Sequence, residues 1–116
     1  MTNTVVSSGQ SVTGQNVASG DGLTVFGTAT SSTVSGGGIL SVSSGGSGFE
    51  TLVLSGGEID VASGGVVSNS TLSSGTETVS SGGMASGTTI LSGGSGVILG
   101  TDNAATVSSG GLEIIS

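Results

Sequence analysis

Lysine, arginine and histidine are all absent from this 116-residue chain, while Asp and Glu number seven, so its net charge is −7. A chain without one cationic side chain cannot grip phosphate backbones or anionic lipid. Nucleic acid and insertion into or onto acidic membrane are therefore excluded as roles of the segment. The same absence removes histidine and lysine bases, arginine clamps and the lysine of a Walker loop. There is no cysteine, hence no thiol nucleophile, no disulfide framework and no mark of redox compartment. Proline, tryptophan and tyrosine are missing too, and Phe26 and Phe49 are the only aromatics. No apolar run reaches the ~18 residues of a membrane helix. The N-terminal MTNTVVSSGQ has neither the positive region nor the apolar core of a secretory signal. Either residues 1–116 are one segment cut from a larger protein, or export uses a signal elsewhere.

What remains is mostly small: Gly, Ser and Thr make up 65 of the 116 residues. Such a composition suits a flexible linker. Against that, Val, Ile, Leu and Phe supply 30 residues, too many for a disordered tract, and they recur at regular intervals.

The repeat is clearest in Ser44 to Gly65, SGGSGFETLVLSGGEIDVASGG, where S-G-G occurs three times around one longer and one shorter apolar run. Glu58-Ile59-Asp60-Val61 alternates with period 2, the pattern of a strand with one buried face. Corners marked by Ser8, Ser19, Gly27, Ser35, Ser44, Ser55, Ser63, Ser74, Ser81, Ser92, Gly100 and Ser109 lie mostly at alternating long and short steps. Every second corner gives a period of about 18 residues and six turns, a solenoid signature. The residue ahead of a corner is apolar and usually β-branched, as in Val42, Val53, Val61, Leu72, Val79 and Ile90. The long half aligns Val67–Leu72 with Ala85–Ile90 and places Asn69 and Gly87 at a bend. Both residue types accept the left-handed conformation there. Each turn is then three short strands. Parallel strands at this period leave no room for crossover helices. The expected fold is all-β: a right-handed parallel β-helix of about six turns, with Val42/Val61/Val79 and Val53/Leu72/Ile90 as inward columns.

Sites of chemistry are scarce. Glu58 and Glu77 each lie three residues past a corner serine, which predicts that they stack outward as a pair of surface charges. Two carboxylates on adjacent rungs fall short of the 6–8 oxygens of a calcium site. The residues after the Gly pairs do not follow the G-G-x-G-x-D pattern of calcium β-rolls. Thr28/Thr30 and Thr76/Thr78 resemble the ranks of ice-binding solenoids, but Glu58/Asp60 and Leu112/Ile114 occupy the equivalent places on other turns. No cofactor, metal or catalytic residue is assigned, and the chain is read as no enzyme.

Written as V-x-S-G-G-x-A-x-N/G-T-T-V/I-x-S-G-G, with Val79–Gly94 the best copy and Val61–Gly75 and Val42–Gly57 looser ones, the units resemble a known family. They are similar to the strand-loop-strand repeats in passenger domains of AIDA-type, self-associating autotransporter adhesins. The resemblance implies a β-helix on the bacterial cell surface, or secreted, that supports self-association, adhesion and biofilm formation. It also implies O-heptosylation of corner serines by a bacterial glycosyltransferase. The matching candidate acceptors here are Ser44, Ser55, Ser63, Ser81, Ser92 and Ser109. The alternative is a binding module that recognises carbohydrate or ice through a Ser/Thr-rich face.

Overall fold

A computed structural model of the chain describes residues 3–115. One turn shows the plan. Glu58–Val61 is the first strand, Val66–Ser68 the second and Thr71–Leu72 the third, after which Thr76–Val79 begins the next turn. Equivalent strands pair in parallel from turn to turn, forming three sheets of seven, six and six strands that wrap one tube. No helix occurs among the described residues. The chain is thus an all-β parallel β-solenoid of about six turns, about 18 residues each, with three strands per turn.

The three corners are made differently. Between the second and third strands a single left-handed residue turns the chain: Gly14, Ser31, Glu50, Asn69, Gly87 and Ala104, with φ between 56° and 72°. Asn69 and Gly87 are there as their residue types predict. Ser31, Glu50 and Ala104 bear the local cost of a conformation that L-residues disfavour.

The S-G-G corners explain themselves at Gly64. Its φ is +85°, which favours glycine, and a Cβ there would come within 2.6 Å of Ser44 Oγ on the turn below. The next residue, Gly65, has no room either, since its Cβ would sit 2.8 Å from the Val42 carbonyl oxygen. Serine, left-handed glycine and crowded glycine are therefore one stacking unit.

Inside the tube, the register places Val42, Val61 and Val79 in one column and Val53, Leu72 and Ile90 in another. All six are fully buried. On the second sheet the inward column runs Ala29, Gly48, Val67 and Ala85, mostly small residues.

The expected outward pairing of Glu58 with Glu77 is wrong. Glu58 aligns with Ile39 and Thr76, whereas Glu77 aligns with Ile59 and Gly96 and points into the core, with no exposed surface. The cause is corner length. Four residues, Leu54 to Gly57, join Val53 to Glu58, but only Ser73, Ser74 and Gly75 join Leu72 to Thr76. Ser74 takes both the serine and the left-handed places: its φ is +63°, and its Oγ lies under Gly93. Counting from Ser74 as though it were Ser55 slips the register by one, which exchanges the two faces of the strand.

Candidate glycan-acceptor corners

All six candidate serines are exposed. The structure sorts them into two ranks on different edges of the tube. Ser44, Ser63 and Ser81 lie between the first and second strands of successive turns, each followed by a left-handed glycine, Gly45, Gly64 and Gly82. Ser55, Ser92 and Ser109 lie between the third strand and the next first strand, followed by Gly56, Gly93 and Gly110. Stacked turns put neighbours within a rank ~4.8 Å apart. Backbone bonds tie the ranks together: Gly45 N–H donates to Gly64 O at 3.1 Å, and Gly64 N–H to Gly82 O at 3.0 Å.

Two further corner serines stand in equivalent places. Ser8 and Ser19 are exposed and stand in the same places, before Gly9 at φ +84° and Gly20 at φ +80°. Their corners end in Gln10 and Asp21 instead of a second glycine. Ser74 differs, since its hydroxyl already donates to the Ser92 carbonyl at 3.2 Å. Both ranks are interrupted. The Phe26-Gly27 and Leu99-Gly100 corners are two residues shorter and carry no serine, and Gly36 replaces the corner serine of the third turn.

The chemistry of these corners is simple. A serine hydroxyl needs a base to become a nucleophile, and no histidine, lysine or arginine exists in the chain. Outward charge is grouped on the first sheet, where Glu58 and Asp60 project from one strand. Partial burial, and then the neighbouring Asp60 carboxylate, push the Glu58 pKa up. No group of three or more metal-ligating side chains suited to an ion is found among the described residues. A cavity of about 190 Å³ lies in the mouth of the first turn, lined by Thr4, Gln15, Asn16, Val17, Asp21, Gly22 and Leu23. It is remote from the central serine corners. Among the described residues, no helix is long and apolar enough to cross a membrane.

No protein-family model matches the chain, and no curated protein matches it. Among solved structures, the chain is similar to a hyper-glycosylated TibA fragment whose glycosylation was catalysed by TibC. The TM-score is 0.92 and the sequence identity 38%, over 96% of this chain and 42% of that one. The chain thus spans less than half the length of the fragment it matches. At that identity the likeness extends beyond fold to the repeat itself, and the repeats of this chain are passenger repeats of the AIDA type.

Proposed function

We propose that the chain is a structural and adhesive repeat segment of a bacterial surface protein, and that its corner serines accept O-linked sugar from a glycosyltransferase. The observation that carries this reading is the pair of exposed serine ranks, on a solenoid 38% identical to a fragment hyper-glycosylated by TibC. Ser44, Ser55, Ser63, Ser81, Ser92 and Ser109 are the first acceptors proposed, and Ser8 and Ser19 join them by geometry. Co-expression with TibC, followed by intact-mass measurement and site mapping, tests the assignment. Added hexose or heptose masses on these serines are expected. An unmodified chain, where TibC modifies the TibA fragment in parallel, would overturn it.

Adhesion in this reading works through the sides and the ends of the rod. The sides present mixed Ser, Thr and Asn, and the last described strand exposes Leu112, Ile114 and Ile115. An open parallel edge with apolar neighbours is a template for another strand. The segment made alone is expected to associate end to end, so light scattering should grow with concentration; a strictly monomeric rod would refute this part. Display on cells, with aggregation compared before and after deletion of these turns, tests the role in self-association and biofilm. Recognition of ice or carbohydrate by a flat face finds less support. Outward columns such as Ile39, Glu58, Thr76 and Ser95 change character at every turn.

A further inference from the structure

The core column that runs from Thr4 through Leu23, Leu40 and Ile59 continues as Glu77, Gly96 and Glu113. The small-residue column of the second sheet likewise ends, after Val67 and Ala85, in Asp102. Three carboxylates therefore replace aliphatic side chains inside the last turns, in a molecule with no cation to pair with them. Glu77 has no exposed surface; Thr88 Oγ1 donates to its Oε1 at 3.4 Å, and its Oε2 has no partner. Both oxygens of Asp102 and Oε2 of Glu113 are also shut off from solvent and unpartnered. The Asp102 and Glu113 carboxyls approach within hydrogen-bonding reach. As two carboxylates they hold no hydrogen to share, and one proton turns that repulsive contact into a bond.

We propose that Glu77 and Asp102, with Glu113 set beside them, form a proton-operated latch inside the tube, closing the turns from Ser95 onward when Glu77 and Asp102 are protonated and loosening them when these two ionise. The surroundings permit nothing else to neutralise them. Below Glu77 lies Ile59, whose flanking Glu58 and Asp60 face outward. Above it lies Gly96 and then Glu113; across the tube come Leu72, Ile90, Ser70 and Thr88, and on the second sheet Ala85 and Asp102. Among the described residues, the charged groups facing the latch are its own members. Their energetics agree with the geometry. Burial pushes the Glu77 carboxyl up to about 7, against a lowering by the Thr88 bond and with a further rise from Glu113. Burial, and then the contact with Glu113, push Asp102 up to about 8. The second, third and fourth turns carry Leu23, Leu40 and Ile59 at the Glu77 and Glu113 places, and the first carries Thr4, so none of them has this device.

Hydrogen exchange on the whole chain between pH 5 and pH 9, expressed as protection factors, tests the proposal. Amides of Ser95–Ile98, Thr101–Asn103 and Leu112–Ile115 should lose at least about tenfold in protection, while those of Gly22–Val25 and Ile39–Val42 keep theirs. The E77Q/D102N/E113Q variant should show no such difference between its ends. Equal protection at both pH values in the wild type, or an equal loss in wild type and variant, would overturn the latch. Should the variant fail to fold, carboxyl-carbon NMR of the wild type decides. A Glu77 midpoint near 7 is expected, and one in the ordinary glutamate range would overturn it.

Discussion

At the scale of single residues, one serine and one glycine define the corner. Ser44 Oγ occupies the space that a Cβ on Gly64 would need, and Gly64 has a backbone conformation that disfavours any side chain. Gly64→Ala therefore incurs two separate penalties, about 1 kcal/mol or more from the left-handed φ and a further steric one. Pairing it with Ser44→Gly should recover the steric part only, leaving the thermal midpoint between wild type and single variant. Full recovery would mean that the backbone tolerates alanine. Glu77 gives the opposite case, a residue whose replacement should stabilise. Its folded pKa of about 7 lies above the ordinary glutamate value of 4.5, so the folded state holds the proton more tightly than the unfolded chain. Stability is then fully present below about pH 4.5 and is lost as pH rises to 7, by roughly 3 kcal/mol at about 1.4 per unit. Glu77→Leu, which restores the Leu40 and Ile59 pattern, should raise the melting temperature most at pH 8. Glu77→Gln should flatten the pH dependence. A lower melting temperature for the leucine variant at pH 8 would contradict the assignment.

At the scale of strands and corners, most of the fold was legible because the strands are so uniform. Val42, Val61 and Val79 share one place ahead of an S-G-G corner, and the ladder holds them at one place in the core. What misled was corner length. The three-residue Ser73-Ser74-Gly75 corner looks like its four-residue relatives, and the slip of one residue hid a core glutamate among presumed surface charges. The bends at Ser31, Glu50 and Ala104 were illegible for another reason. Nothing in those side chains favours the left-handed conformation, and the ladder on either side imposes it. Ser8 and Ser19 mark corners without the full S-G-G motif, because a corner needs only one left-handed glycine, and the second glycine of the motif answers crowding from the turn below. The column itself is testable. Val61→Asp places an unpaired carboxylate where no exposed surface remains, a loss of several kcal/mol. Cooperative thermal unfolding should be abolished or shifted far downward, and an unchanged melt would mean that the register is wrong.

At the scale of the whole molecule, the account rests on stacking. Residues 17 to 19 apart in sequence meet, while residues much nearer in sequence lie on different edges of the tube. This arrangement gives the acceptor serines their ranks and sets the carboxylates of the latch facing one another. A chain without cysteine is well suited to measuring it. Ser44 and Ser63 stand on adjacent turns of one rank, ~4.8 Å apart and within the Cα range of a disulfide. Ser44 and Ser55 are closer in sequence but occupy different ranks. The decisive measurement is oxidation of the Ser44→Cys/Ser63→Cys and Ser44→Cys/Ser55→Cys double variants under dilute native conditions, read by mass and thiol titration. The stacked solenoid predicts an intramolecular disulfide in the first pair and free thiols in the second. A bond in the second pair with free thiols in the first would contradict it.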